Sequence, residues 1–492
     1  MKTESLRRGL AFDSIVWVVP LVVAMILAAT MASISAFDAH PDEVHHAAAA
    51  DYYRTHWLPP KYGDPDAIPS YSFYGTSYLH ERDIVYLLAG KWSLAVAPLV
   101  GDIHLSYRLF NLALLAAITG AFAWKREARP LLVPLTLSAQ VWYVFSYFNA
   151  DAFALAVAQF AAYQVAVRDS AFNSGITSGS YRGWWRGVLV LGLAIGLLLL
   201  SKRNFYVFLA FLAAYLALRE AGWRASLGMT LATIVGVGWY FSVPIGAPQW
   251  LFACAGLVAI SLILLDCWSQ APNPAFRRRV GMLITAGAIG LALFVPRAAY
   301  DKYVVENPSN AISSAEATAE IFAADRFKPS QIAEGSADRQ LAMRARGASY
   351  VTMLTGGDRW LWTSFESMVG GYGYMKIFSS ARFYALVGVI YLTFVASLVY
   401  GASRASDGTA RKSLVLAGIF AVLVVLLSSL HSWNSDFQPQ GRYFFPALVM
   451  LGVAIRDLRG RYPITAPVTA VLAVALAAYS FWDAGLGSIE KR

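Results

Sequence analysis

The feature that most constrains this chain is a series of apolar runs, each ~17–25 residues long, separated by short charged clusters. A helix of that length can cross the roughly 30 Å hydrocarbon core of a bilayer. A membrane helix satisfies every backbone N–H and C=O within itself, which is why such runs fold as helices. Only 14% of the residues are charged, against about 25% in an average soluble domain. The expected class is therefore all-α and polytopic. The net charge of +10 would raise nucleic-acid binding in a soluble protein. Here the basic residues lie in clusters between apolar runs, the pattern of cytoplasmic loops, and no nucleic-acid partner is expected. Cys254 and Cys267 lie on one expected span, roughly 20 Å apart along a helix. That spacing rules out a bridge between them.

Orientation follows from the basic clusters. Lys2, Arg7 and Arg8 precede the first run, Ile15 to Ala36. That run is too long for a signal peptide's apolar region, so it is expected to be retained as a span with its N-terminus cytoplasmic. A first outer loop over 37–102 follows. Within it, Ile84 to Val100 is apolar enough to suggest a crossing. Counting it as one would place Lys125 to Arg129, Arg277 to Arg279 and Arg456 to Arg461 outside. An interfacial helix keeps all three inside. Apolar length then gives about thirteen spans, a second long outer loop over 297–379, and a division into 1–296, 297–379 and 380–492.

This topology sends four polar clusters to the outer side. The first, Phe37 to His46, packs Asp38, Asp42, Glu43, His40, His45 and His46 into ten residues. A carboxylate there can take a proton from an attacking hydroxyl, which singles out Asp42, with Glu43 as its assistant. The same residues suit plain structure: Asp42 as a helix N-cap, with the histidines on the first turn. The imidazoles also admit a divalent metal, with His40, His45 and Asp151 as its candidate ligands. Asp151, in Asn149-Ala150-Asp151, can position substrate or cap a returning helix. Lys202 and Arg203 are cations on a short outer turn, suited to a phosphate or to snorkelling. In Gln440-Gly441-Arg442-Tyr443, Arg442 can hold a phosphate bidentately, and Tyr443 and His431 lie close in sequence.

Taken together, these patches resemble the GT-C class of membrane glycosyltransferases. The resemblance lies in a retained first span, an acidic pair opening the first outer loop, an interfacial helix and about a dozen further spans. Within that class, His40-Pro41-Asp42-Glu43-Val44-His45, Asn149-Ala150-Asp151, Ser201-Lys202 and Gln440-Gly441-Arg442-Tyr443-Phe444-Phe445-Pro446 are similar to a poorly characterised bacterial integral-membrane family. The resemblance implies a polyprenyl-phosphate sugar donor, inverting transfer and Asp42 as the first-loop aspartate. It also implies Lys202, Arg203 and Arg442 as holders of the lipid phosphate, and an envelope glycan, lipid or protein as acceptor. The setting it implies is the bacterial inner membrane with the site facing outward. A clean Pro-Pro-Leu-Tyr match to the lipid A aminoarabinose-transferase branch is missing, and so is a large soluble C-terminal domain. A transporter or flippase is the alternative, but it would place ionisable groups at mid-membrane and in symmetric broken helices. An envelope scaffold would have no use for the His40–His46 cluster facing Arg442, whereas the Asp/His mixture also suits a metal-dependent membrane phosphatase or phosphotransferase acting on lipids.

Overall fold

The apolar runs become helices in the expected order. In the computed structural model, which describes residues 2–242, 249–306, 314–334, 340–406, 408–458 and 460–492, α1 (Lys2–Ile34) leads to α2 (Glu43–Thr55), α3 (Val85–Val100) and α4 (Ile103–Trp124). The chain continues through α5 (Val133–Leu137), α6 (Ala139–Ser146), α7 (Ala150–Ala166), α8 (Ala171–Thr177) and α9 (Tyr181–Leu199). Next come α10 (Tyr206–Glu220), α11 (Trp223–Ser242), α12 (Gln249–Gln270) and α13 (Pro274–Tyr300). The second long loop carries α14 (Ala315–Phe322), α15 (Pro329–Glu334), α16 (Tyr350–Thr355) and α17 (Trp360–Gly370). It ends in an antiparallel hairpin of β1 (Gly371–Tyr372) and β2 (Ile377–Phe378). Four helices close the chain: α18 (Ala381–Arg404), α19 (Gly408–Asn434), α20 (Phe445–Leu458) and α21 (Thr465–Ser480).

Among the described residues, nine helices are long and apolar enough to cross a membrane. The chain is an all-α polytopic membrane protein. The remaining four of the thirteen expected crossings fall outside that set of nine. The stretch 131–147 is split into α5 and α6 at Ser138, whose hydroxyl accepts from Val141 N and donates to the Met368 carbonyl. A break at membrane depth is tolerated because protein surrounds it, and every residue of α5 and α6 is buried. Helices α10 and α20 have only 15 and 14 residues. The stretch 226–245 runs past the described residues. Helix α3 has 16 residues, roughly 24 Å at 1.5 Å per residue, short of the hydrocarbon thickness.

The core centres on α7, nearly every position of which is buried. Its alanines let α4, α9, α10 and α20 approach closely, as small residues do between membrane helices. By contrast α12 packs on α11 and leaves Leu257, Leu264 and Trp268 outward. Such an apolar face suits lipid.

Polar contacts sort into two ends. At one, Arg456 pairs with Glu127 and Asp457, Arg279 pairs with Glu220, and Arg219 donates to the Val165 carbonyl at 2.6 Å. The basic clusters of the sequence thus meet at one end of the bundle. The exit of α1, both long loops and the starts of α7, α10 and α20 meet at the other.

Candidate functional site

The site is built from the exit of α1. A helix leaves its last carbonyls without intrahelical donors, and here Arg108, from the buried face of α4, supplies them. Its Nη1 donates to the carbonyls of Ala32 and Ser35 at 2.9 Å each, and its Nη2 to that of Ala36 at 2.9 Å. Glu43 balances the charge with two 2.7 Å hydrogen bonds from Nε and Nη2. Both side chains are sealed from solvent, 0% and 1% exposed. Glu43 is therefore the counter-charge of Arg108 and does not serve as the free carboxylate expected beside Asp42.

Asp42 differs. Its backbone is left-handed, with φ 60° and ψ 12°, a conformation that an aspartate tolerates better than most residues. It precedes α2, yet its carboxylate caps nothing. Asp38 does that work instead, accepting from Val44 N at 3.4 Å. The Asp42 carboxylate is left to line a cavity of about 270 Å³, where Tyr78 donates to its Oδ2 at 3.3 Å.

Arg442 lines the same cavity. Gly441 allows this placement, because a Cβ there would lie 2.1 Å from Met368 N of α17. No side chain fits between the two backbones. Arg442 donates to Gln440 Oε1 at 2.6 Å and pairs with Asp151 Oδ2 at 3.4 Å. Burial alone would lower the basicity of Arg442, but Asp151 outweighs it and holds the guanidinium firmly charged. Asp151 sits on the first turn of α7, which Asn149 caps through a 3.1 Å bond from Ala152 N. Its other oxygen, Oδ1, is buried without a hydrogen-bond partner.

Lys202 approaches from the turn between α9 and α10. Its Nζ lies 5.2 Å from the centroid of the Tyr78 ring and 3.9 Å from Asp83 Oδ2. Burial pushes the Asp83 carboxyl up to about 6, against the pull of Lys202. Tyr78 thus touches Asp42 with its hydroxyl and Lys202 with its ring. Behind it, His46 stacks at 4.1 Å and bonds Tyr86 through Nδ1 at 2.8 Å. Burial, with Lys202 and Arg442 nearby, drives His46 well below its usual value, so it is neutral.

Of the expected site residues, Asp42 and Arg442 line one cavity, Asp151 pairs with Arg442, and Lys202 lies against the ring of Tyr78, whose hydroxyl donates to Asp42. Tyr443 does not line the cavity, but its hydroxyl donates to Gln438, which does. Arg203 points away and pairs with Glu81 at 3.3 Å, largely in solvent. His431 is exposed at the end of α19 and does not line the cavity.

The metal set does not assemble. His40 spends both ring nitrogens on Ser35 and Tyr143, at 2.8 and 2.9 Å. His45 sits edge-on to Phe73 with Nδ1 unpartnered, and Asp151 is engaged with Arg442. Among the described residues no three His, Cys, Asp or Glu side chains converge. These residues do not fit a divalent ion.

Sequence reasoning passed over Tyr78, Asp83 and Arg108. Arg108 carried a readable signal, a charge inside an otherwise apolar span, which demands a partner. Tyr78 and Asp83 carried none, since loop aromatics and acids are common. No family model matches the chain, and no curated protein or solved structure matches it.

Proposed function

We propose that the protein is an inverting membrane glycosyltransferase of GT-C type, with about thirteen crossings and the Asp42 cavity facing the outer side of a bacterial inner membrane. The observation that carries this reading is Asp42, a carboxylate in no ion pair among the described residues, sharing a cavity with the firmly charged guanidinium of Arg442. A second cation, Lys202, stands behind Tyr78. The basic clusters gathered at the opposite end support the orientation.

In the proposed reaction an acceptor hydroxyl, hydrogen-bonded to Asp42, attacks the anomeric carbon of a polyprenyl-phosphate sugar. A bond forms between the acceptor oxygen and that carbon. The bond from the carbon to the phosphate oxygen breaks, and its electron pair leaves with the polyprenyl phosphate. The proton passes to Asp42. A phosphate leaving group needs its growing charge stabilised rather than a strong acid, and Arg442 with Lys202 supplies that. Both cations have carboxylate partners, at 3.4 and 3.9 Å, so the phosphate exchanges with Asp151 and Asp83 rather than meeting bare charges. Tyr78 holds Asp42 in place.

The test is transfer of radiolabelled sugar from polyprenyl-phosphate donors to membrane acceptors by purified protein. Asp42→Asn is expected to reduce transfer by about 10²–10⁴-fold, the usual worth of a general base, with an unchanged unfolding midpoint. Transfer within threefold of wild type, at about 0.6 kcal/mol of barrier, would refute the role of Asp42. Substrate accumulation in sealed vesicles without glycosyl transfer would favour a transporter.

A further inference from the structure

The cavity is lopsided in charge. Arg442, the cation among its lining residues, has a local counter-charge in Asp151, and Lys202 behind Tyr78 has one in Asp83. Two carboxylates that line it, Asp42 and Asp436, belong to no ion pair among the described residues. Asp436 accepts from the Gln438 amide.

The same cavity is walled by Phe73, Tyr74, Tyr147, Tyr374 and Phe437. Loop aromatics at a membrane surface are usually anchors, but three of these, Phe73, Tyr74 and Tyr374, are held by neighbouring elements while partly exposed. Phe73, Tyr74 and Tyr374 are 52%, 41% and 38% exposed. The turn bearing Phe73 and Tyr74 is locked by the second loop. Ala324 N donates to the Phe73 carbonyl at 3.0 Å, Tyr74 packs on Phe327 at 4.6 Å, and Tyr71 stacks on Phe322 at 4.6 Å. Gly75, at φ +69°, has no room for a Cβ, which would lie 2.5 Å from Ala319 Cα. Tyr374 is held by a 2.6 Å hydrogen bond from its hydroxyl to Asp38.

Rigid open rings offer flat apolar surface at low entropic cost, and nearby carboxylates and amides accept or share hydroxyl hydrogens. An anionic group set between Asp42 and Asp436, unlike the donor phosphate that Arg442 takes, would meet repulsion and lose its hydration. We infer that the part of this cavity bearing Asp42 and Asp436 is the acceptor site and that it takes a sugar ring, uncharged or amine-bearing, stacked on Tyr74 or Tyr374 and hydrogen-bonded to Asp436. This rests on the transferase reading in that it directs the attacked hydroxyl toward Asp42. Sugars bearing phosphate or carboxylate are excluded as acceptors.

The test is saturation-transfer NMR on the full-length protein in an amphipol without sugar headgroups. The probes are methyl β-glucoside, methyl β-glucosaminide and methyl β-glucuronide. Saturation of the first two is expected, with the glucuronide at least about tenfold weaker. Asp436→Asn, an isosteric change, should weaken the first two about tenfold and narrow the gap to the glucuronide. Tyr74→Ala should weaken all binding, and an unchanged unfolding midpoint keeps both variants interpretable.

Saturation of none of the three probes overturns the inference. So does a glucuronide that binds as well as the glucoside, or binding indifferent to both substitutions. The transferase reading fails separately: if sugars bind but Asp42→Asn still transfers, the acceptor site stands and the base does not. If Asp42→Asn abolishes transfer while no sugar binds, the base stands and the acceptor is not a sugar.

Discussion

Replacing Arg108 with methionine would leave Glu43 as a charged group, 1% exposed, with no cation to face it. Truncating one partner of a buried ion pair costs about 3–5 kcal/mol, mostly because the surviving charge stays desolvated. The carbonyls of Ala32, Ser35 and Ala36 would lose donors as well, at about 1–3 kcal/mol for each buried group left unsatisfied. These terms overlap, since the exit of α1 can relax and admit water, so the expected total is about 5 kcal/mol. Whole domains are stable by only about 5–15 kcal/mol, so Arg108→Met should be poorly folded. The companion double variant Glu43→Met with Arg108→Met removes the orphan charge. It should recover about 3 kcal/mol, because apolar replacement of a buried pair is often close to neutral. Denaturant titration of the detergent-purified protein, followed by tryptophan fluorescence, gives both values. A loss below about 1 kcal/mol for Arg108→Met, or a double variant no more stable than the single one, would refute the assignment of Glu43 as structural counter-charge.

Three other outcomes are expected. Gly441→Ala should cost several kcal/mol, of order 3 as for other overpacked sites, and abolish transfer by displacing Arg442; an unfolding midpoint equal to wild type would count against the close packing on Met368. Tyr78→Phe removes a donor to the charged form of Asp42. Losing that hydrogen bond frees the Asp42 carboxylate to turn, so transfer should fall about tenfold with an unchanged unfolding midpoint, and transfer equal to wild type would sever Tyr78 from Asp42. Asp83, raised to about 6 in the folded protein from 3.8, contributes stability that is complete below pH 4 and lost as pH rises through 6. The loss is about 3 kcal/mol, two pH units at 1.36 kcal/mol each. Asp83→Asn should flatten this part of the stability–pH curve, and an unchanged slope would argue against a buried acid there.

The apolar runs announced the helices and their order, because length and hydropathy are properties of single segments. The expected thirteen exceed the nine helices of spanning length among the described residues where apolar stretches are short and lie inside the bundle, as α5, α6 and α20 do. The pairing of basic groups at one end was also legible, since charge clusters mark loop sides. Partner choice was not. Glu43 and Asp42 are neighbours of similar chemistry, and only the distant Arg108 separates a structural carboxylate from a free one. His40 and His45 read as metal ligands until Ser35, Tyr143 and Phe73 supplied their surroundings. Gln440-Gly441-Arg442-Tyr443 stood out in sequence, but the reason for its glycine lies on α17.

The Arg108–Glu43 pair spans 65 residues, and this bears on how the protein is made. When α1 first enters the membrane, its closing carbonyls and the glutamate just beyond it have no counterpart, because the arginine has yet to be synthesised. The loop holding Asp42 therefore cannot set until α4 is laid alongside α1. Until then, the exit of the first helix stays wet and open to whatever holds nascent membrane segments.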